Sequence, residues 1–375
     1  MEVETLPDAM FDAIIVGGGP AGTAAAISCS SRGLRTLLLE ADCDPREQPG
    51  ETLHPGVERL FRLLGVDAQV NQAGFLRHPG YVIHSRTNAS FQPYGNDHDG
   101  QWFGYQAGRK KLHKILLERA VESGVQVLRG ERAVRPMMSG EVVFGVEGAA
   151  GTYASRFVID ATGAFQWLRR HLRIRCFRVS TLLLAYYGWV ESSDKLKKAF
   201  PLPEFRMRNG GWRWIAPVDS HKHAWVSMSL SDNKKAVRLL PDILTRCTAS
   251  STPKARDVTW RIARPCAGPG YFLAGDAACI LDPASSHGVM KAVMSGMMVA
   301  ECIASILNGS TDSGRAQAGY CAWTEDRFCS DAAALISLYS EMEKPPFWLS
   351  AASEAVRYIA TSPSDRASSS KLINV

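Results

Sequence analysis

The chain has 375 residues and nine cysteines, but no Cys-x-x-Cys pair and no metal-ligand spacing. An odd number of unpaired cysteines predicts reduced thiols, and it excludes a disulfide-stapled secreted scaffold. The N-terminus lacks a basic region followed by an apolar core and a cleavage site, so we expect no secretory signal and a cytoplasmic protein. No metal site is expected.

Long apolar runs are also scarce. The longest, from Val289 to Leu307, is interrupted by Lys291 and Glu301, whereas a membrane span needs about 20 largely apolar residues. The sequence therefore predicts no membrane-spanning helix and no membrane partner.

Blocks of like charge are missing as well. The net charge of +6 comes from 43 basic and 37 acidic residues that are spread along the chain in short runs such as Arg109–Lys111. This distribution excludes a nucleic-acid partner and fits an anionic cofactor. With 46% hydrophobic residues, the chain can bury a large core in one large domain or two interleaved domains.

The N-terminal segment carries a dinucleotide-binding pattern. A buried strand at residues 13–16, a glycine turn, a helix at residues 20–32, and a second strand at residues 36–39 follow in order. Gly17 permits the turn, Gly19 admits a pyrophosphate, and Gly22 lets the helix lie close to the strand. Glu40 follows Gly22 by 18 residues, which suits an acid that binds an adenosine ribose.

Three further blocks accompany this unit. The second, residues 271–303, predicts a strand, a turn at Gly275-Asp276, and a long helix from about Ser286. Because ligands bind at the carboxyl ends of such strands, Asp276 is placed to bind a chain of hydroxyl groups. The third block is a helix headed by Arg109, and the fourth is the strand that ends in "DATG", residues 160–163.

Together the four blocks resemble the FAD-binding fold of p-hydroxybenzoate hydroxylase-like flavoproteins. The segments "GDAA", "DPASSHGV" and "PGETLHP" are most similar to the flavin-dependent halogenase branch, which includes the LodB-, GoxB- and QhpG-like enzymes that modify tryptophan during quinone-cofactor maturation. The resemblance implies FAD as the cofactor. The residues that it implies in cofactor binding are Gly17, Gly19, Gly22, Glu40, Glu51, Arg109, Gly275, Asp276, Pro283, Gly288 and Val289.

The expected fold is α/β: a Rossmann-like FAD-binding domain, an interleaved antiparallel-sheet substrate domain, and C-terminal helices. We assign residues 8–74, 104–175 and 261–312 to the FAD-binding domain. Residues 75–103 and 176–260 form the substrate domain, and residues 313–375 form the helices and a polar tail. The fourth block reads "DATG" where aromatic hydroxylases carry an Asp-Gly pair, which argues against direct nicotinamide binding.

The stretch "GWRWIAPV", residues 211–218, carries two tryptophans. It is predicted to be a strand after a hairpin turn, so Trp212 and Trp214 face the same side. Halogenases carry Trp-x-Trp-x-Ile-Pro, and here alanine replaces the isoleucine. Substrate contact and core packing both remain open for this pair.

The resemblance also sets a requirement for halogenation. Halogenases use a lysine located between the "GE" segment and the motif arginine, but the first lysine of this chain is Lys110. An arginine cannot form the same amine–halogen adduct. We therefore expect a monooxygenase, in which reduced FAD and O2 form a flavin C4a-hydroperoxide that hydroxylates an electron-rich aromatic ring.

The expected substrate is a small aromatic molecule or a protein-bound tryptophan, with electrons from an external reductant or a flavin reductase. The alternatives are a flavin-dependent halogenase and a geranylgeranyl reductase-like oxidoreductase. The catalytic candidates are His287, Ser286 and His54. His287 has an alternative role as a helix cap, His54 as a satisfied loop histidine, and Glu51 as a cap of the helix at residues 56–64.

Overall fold

The computed structural model describes residues 10–48, 52–84, 88–208, 210–230, 244, 247–249 and 252–362. Within these ranges the α-helices are α1 (Pro20–Ser30), α2 (Val57–Leu64), α3 (Asp67–Gln72), α4 (Arg109–Glu122), α5 (Trp167–His171), α6 (Asp194–Ala199), α7 (Gly288–Leu307), α8 (Ser313–Ser340) and α9 (Leu349–Thr361). Short 3-10 turns lie at Gly163–Phe165, Gly275–Ala277 and Pro283–Ser285.

The first half of the described strands comprises β1 (Phe11–Val16), β2 (Thr36–Glu40), β3 (Thr52–Leu53), β4 (Leu76–His78), β5 (Gly80–His84), β6 (Ala89–Pro93), β7 (Asn96–Asp97), β8 (Gly100–Gln101), β9 (Gly104–Gln106), β10 (Gln126–Arg129), β11 (Ala133–Ser139) and β12 (Val142–Gly148). The others are β13 (Thr152–Asp160), β14 (Arg175–Arg178), β15 (Leu184–Glu191), β16 (Glu204–Arg208), β17 (Gly211–Pro217), β18 (Lys222–Ser229), β19 (Lys254–Asp257), β20 (Arg261–Arg264), β21 (Ala267–Gly268), β22 (Tyr271–Leu273) and β23 (Cys279–Ile280).

The first of the two large sheets has eight strands, from β1 near the N-terminus to β22 at Tyr271–Leu273. Its order is β10-β2-β1-β13-β12-β11, with β22 beside β13 and β21 beside β22. Strands β10, β2, β1, β13 and β22 run parallel. A parallel sheet is covered on both faces, so its strands are apolar runs, and Ile14 and Ile15 of β1 are fully buried.

Helix α7 packs in the same core as α1, with Val293 and Val299 buried. Among the described helices, it alone is long and apolar enough to span a membrane by length and composition, with a mean hydropathy of 1.5. It packs against α1, α2, α8 and the 3-10 turn at Gly275–Ala277.

A second, seven-stranded sheet has the order β19-β15-β18-β17-β16-β5-β6. It is antiparallel apart from the parallel pair β16 and β5. Its strands come from both intervals predicted for the substrate domain. Residues of α8 and α9 share a core with this sheet.

A small antiparallel sheet, β3-β9-β4, lies between these larger parts. Its register places Thr52 opposite Gln106, and His78 opposite Gly104. Three segments that are far apart in sequence therefore meet beside the tryptophan-bearing strand β17.

The predicted fold class is confirmed: a Rossmann-like sheet, an antiparallel sheet and C-terminal helices are all present. Local predictions are close to the observed bounds, since α4 begins at Arg109 and β17 contains both tryptophans. Of the predicted hairpin turn, Asn209 lies outside the described residues, and Gly210 has a φ of +76°. The domain boundaries stay a proposal.

Candidate active site

A cavity of about 970 Å³ lies between the two large sheets, at the upper end of the roughly 300–1,000 Å³ typical of ligand sites. It gathers most of the predicted site residues. Those that line it are Gly17, Gly19, Glu40, Arg109, Trp212, Trp214, Gly275, Asp276, Pro283, Ser286, Gly288 and Val289.

The glycine turn between β1 and α1 is built for close approach. Gly17 has a φ of +104°, and a Cβ at Gly22 would lie 1.8 Å from the Gly17 carbonyl oxygen. A Cβ at Gly19 would meet nothing within 4 Å, so this side of the turn is open to the cavity. The turn feeds the N-terminus of α1, where free N–H groups and the helix dipole favour a phosphate.

Glu40 is fixed at the end of β2. Its Oε2 accepts a hydrogen bond from the Gly18 N–H at 2.6 Å, and its Oε1 accepts one from the Asp42 N–H at 2.9 Å. Each carboxylate oxygen keeps a further lone pair. The fixed carboxylate therefore fits the predicted role of an acceptor for ribose hydroxyl groups.

Arg109 begins α4 and is held by a residue one turn later. Its Nη2 lies 3.1 Å from Nε2 of His113, and both residues line the cavity. Burial, assisted by the Arg109 charge, lowers the pKa of His113 to about 3. A neutral His113 therefore accepts from the guanidinium. Sequence reasoning missed His113, although its position four residues after the motif arginine was a usable signal.

Asp276 forms a link between the two sheets. Its Oδ2 lies 3.2 Å from Nη2 of Arg256 on β19. The carboxylate is 42% exposed and faces the cavity, so it can still accept hydroxyl groups. Arg256 was missed because its contact depends on how two separate sheets pack.

The segment before α7 has an unusual backbone. Ser286 lies in the left-handed region with a φ of +52°, a conformation that a non-glycine residue adopts at a cost and that is frequent at functional sites. His287 occupies the N-cap position of α7, but its side chain makes no capping hydrogen bond. The alternative role of His287 as a side-chain cap is therefore wrong.

His287 and His54 contact each other, with ring centroids 5.5 Å apart in an edge-to-face arrangement. Burial lowers the pKa of both, assisted at His287 by Lys291. Nδ1 of His54 accepts from the Gly56 N–H at 3.1 Å, which supports its role as a satisfied loop histidine. Neither histidine is among the described residues that line the cavity, so their catalytic roles stay predictions. Glu51 lies outside the described residues.

The two tryptophans of β17 have different surroundings. Trp212 is 3% exposed, and its Nε1 donates to the Tyr339 hydroxyl at 2.9 Å. Tyr339 in turn donates to Oδ1 of the buried Asp282 at 2.8 Å. Trp214 is only half-buried, and its Nε1 donates to Oγ1 of Thr52 at 3.1 Å. Both tryptophans line the cavity, but Trp212 is tied into the core, whereas Trp214 is the more exposed of the two.

Lysine is rare around the cavity. Residues 52–108 contain none, and among the described lining residues Lys291 is the only lysine. Its Nζ lies 3.0 Å from Oδ2 of Asp331. This lining amine is therefore held in an ion pair.

Residues 10–318 match the family model of the FAD binding domain. The chain belongs to this family. The open glycine turn, the fixed Glu40 carboxylate, and Asp276 are the donors and acceptors that a dinucleotide requires, so the site fits FAD, and FAD is the cofactor of this chain.

Curated relatives of this FAD-binding chain are halogenases. It is 26% identical to a tryptophan 2-halogenase from Chondromyces crocatus, over 89% of this chain and 69% of that protein. It is also 26% identical to a 1H-pyrrole-2-carbonyl peptidyl-carrier-protein brominase from Pseudoalteromonas luteoviolacea, over 80% of this chain and 79% of that protein. The chain thus spans about two thirds of the length of the first relative.

The solved structure of the myxobacterial chondrochloren halogenase CndH superposes with a TM-score of 0.80 at 22% identity, covering 95% of this chain and 91% of CndH. At this identity the likeness shows the fold. The comparisons support a flavin-dependent halogenase-like FAD enzyme, and they favour the halogenase alternative over the predicted hydroxylation. They do not confirm the LodB- or GoxB-type assignment.

Proposed function

We propose that this enzyme oxidises an electron-rich aromatic ring inside the cavity that Trp214 borders. Bound FAD, once reduced, supplies the activation of O2. The chain's own residues bind the ring, exclude water and hold protons. The half-buried indole of Trp214 suits an aromatic neighbour, and the relatives are named for tryptophan and pyrrole groups.

Oxygen insertion is the outcome that the residues of this chain favour. The main support for oxygen insertion is that residues 52–108 contain no lysine. In addition, Lys291 forms an ion pair with Asp331. Halogenation in the resembling enzymes needs an amine from the segment at residues 52–108. Since fold does not fix the reaction, a halogenase-like scaffold without this amine is suited to oxygenation.

Halogenation is the second candidate, and the names of the relatives favour it. In that case Lys291 is the lining lysine that could carry the halogen, after release from Asp331. The geranylgeranyl reductase-like alternative has no such support from the curated relatives reported above.

Electrons are proposed to come from a separate reductase. Asp160 of the "DATG" segment is fully buried and accepts from the Thr162 and Leu168 N–H groups. Its carboxylate therefore holds its own loop together, and it is not free to meet a nicotinamide. The substrate is a free aromatic molecule or a tryptophan in a partner polypeptide, as in quinone-cofactor maturation.

Mass spectrometry of turnover products tests the reaction. The FAD-loaded protein is supplied with a flavin reductase, NADH and 18O2, and with L-tryptophan, indole, pyrrole-2-carboxylate or a tryptophan-containing peptide as probes. Parallel reactions contain chloride, bromide or no halide. We expect 18O in the product under all three conditions.

A chlorine or bromine isotope pattern that depends on the added halide would overturn oxygenation in favour of halogenation. Lys291→Gln is then the matched variant, because it removes the amine and keeps a polar side chain of similar length. A purified protein that neither carries nor takes up FAD would overturn the whole proposal.

A further inference from the structure

Three buried polar side chains lie behind Trp214, in the part of the chain that lacks lysine. Thr52 is 8% exposed, Gln106 is 1% exposed, and His78 is 3% exposed. They come from β3, β9 and β4 of the small sheet, whose register pairs Thr52 with Gln106 and places His78 two residues beyond the partner of Gln106 on β4. Burying polar groups costs free energy unless each finds a partner.

These side chains form an unbroken series of contacts. Trp214 Nε1 lies 3.1 Å from Thr52 Oγ1, and Thr52 Oγ1 lies 3.1 Å from Gln106 Oε1. Gln106 Nε2 lies 3.2 Å from His78 Nε2. His78 Nδ1 then lies 2.9 Å from the Gly80 carbonyl oxygen.

The direction of every bond follows from the two ends of the series. An indole N–H can only donate and a carbonyl oxygen can only accept. His78 Nδ1 must therefore carry the proton that it donates to Gly80. Because burial lowers the pKa of His78, the ring is neutral and accepts at Nε2 from the Gln106 amide. The Gln106 carbonyl is left to accept from the Thr52 hydroxyl, which accepts from Trp214. In this arrangement each of the four contacts has one donor and one acceptor.

Ring contacts extend the far end of this series. The His78 ring lies 5.5 Å from that of Tyr94, and Tyr94 lies 5.1 Å from the ring of His54. Tyr81 joins the two ends, since its ring lies 5.9 Å from both Tyr94 and Trp214. The Trp214 indole is thus restrained through its N–H and through ring contacts with Tyr81 and Phe205, while another part of the residue borders the cavity.

We propose that Thr52, Gln106 and His78 are positioning residues that fix the tilt of the Trp214 indole, and so orient the aromatic substrate against it. A fully satisfied buried network specifies one geometry, whereas a lone half-buried indole can rotate. The orienting role rests on the proposed function. The restraint on Trp214 does not.

The restraint can be measured without any substrate. Indole 15N-labelled protein gives one N–H resonance for each tryptophan, and Trp214→Phe assigns the one of interest. Thr52→Val removes the acceptor at nearly constant size, and Thr52→Ser keeps it. We expect the Trp214 resonance to shift and its N–H to exchange with solvent roughly threefold to tenfold faster in Thr52→Val, with Thr52→Ser close to wild type.

Trp212 is the internal control, because its N–H bonds to Tyr339 and its resonance should stay in place. His78→Phe tests the far end: loss of the acceptor for Gln106 should shift the Trp214 resonance while FAD absorbance is retained. An unmoved Trp214 resonance in Thr52→Val would contradict the proposal that this series of hydrogen bonds restrains Trp214. Equal effects of the valine and serine variants would contradict it as well. An unmoved resonance in His78→Phe would remove His78 from the series.

The orienting role is tested by product formed per O2 consumed, with indole and L-tryptophan as probes. Thr52→Val and Trp214→Phe should each lower this ratio severalfold, and the double variant should be no worse than either one. If the losses of the two single variants multiply in the double variant, the two residues act independently, and the orienting role is overturned. If neither probe reacts in the wild-type protein but the NMR result holds, the proposed function fails and the restraint stands.

Discussion

Arg109 and His113 lie one helical turn apart at the start of α4, with 3.1 Å between Arg109 Nη2 and His113 Nε2. A guanidinium has no acceptor, so the imidazole must accept and must be neutral. The pair points a fixed positive charge at the cofactor side of the cavity.

Loss of this pair should weaken cofactor binding. In His113→Phe the guanidinium loses an acceptor and its fixed direction, and we expect FAD to bind roughly tenfold more weakly, since bonds to charged groups contribute about 1.5–3 kcal/mol. His113→Gln, which offers an amide oxygen, is the matched control and should bind more tightly than the phenylalanine variant. Titration of the apoprotein by flavin fluorescence measures both, and equal affinity in all three proteins would contradict the role.

Acid should destabilise the protein through the same histidine. Burial lowers the pKa of His113 to about 3, while the unfolded side chain titrates near 6.5. Because the unfolded state binds the proton more readily, stability falls as the pH drops below about 6.5.

For His113 alone the loss reaches about 1.4 kcal/mol at pH 5.5. Urea unfolding of the apoprotein at pH 7.5 and 5.5 measures it, and His113→Gln should lose less than wild type over this interval. An identical loss in the variant would show that other groups dominate.

The two tryptophans of β17 should respond differently to the same substitution. Trp212→Phe leaves the Tyr339 hydroxyl without its donor in a buried network, so we expect a loss of about 1–3 kcal/mol in the free energy of unfolding. Trp214→Phe should cost less, because the residue is half-buried at the cavity wall. Urea unfolding at saturating FAD compares them. A larger loss for Trp214 would contradict the assignment of Trp212 to the core.

His287 should affect how much of the consumed O2 ends up in product, if its neutral ring holds a proton near the flavin. His287→Ala is expected to divert a larger share of consumed O2 to H2O2, at unchanged FAD content. The pKa of His287 is lowered by burial and by Lys291, so the coupling of the wild-type protein should be constant around pH 7. Peroxide and product are measured together, and coupled turnover in the alanine variant would remove His287 from the mechanism.

Local patterns in the sequence predicted much of this site. The glycine turn, Glu40, and the start of α4 at Arg109 depend on contacts within short segments, so the local sequence predicts them. Thr52 with Gln106, Asp276 with Arg256, and Trp212 with Tyr339 depend on strand register and on the packing of separate parts, and Trp212 lies 127 residues from Tyr339. Composition and periodicity contain no information on such pairs. We propose that the choice between oxygen and halogen likewise depends on one amine, since the fold does not determine the reaction.

Strand β5, at Gly80–His84, pairs with β16, at Glu204–Arg208. Strand β1 has both of its parallel neighbours only when β13 is in place, and β13 in turn pairs with β22. Pairings of this separation form slowly, because the long intervening chain must first be ordered. During synthesis the strand edges of this sheet stay unpaired until the ribosome has passed residue 273, and the cavity is incomplete until Asp331, one of its lining residues, has been made. FAD would stabilise this protein as a late ligand, and cells short of flavin should accumulate it as an aggregation-prone apoprotein.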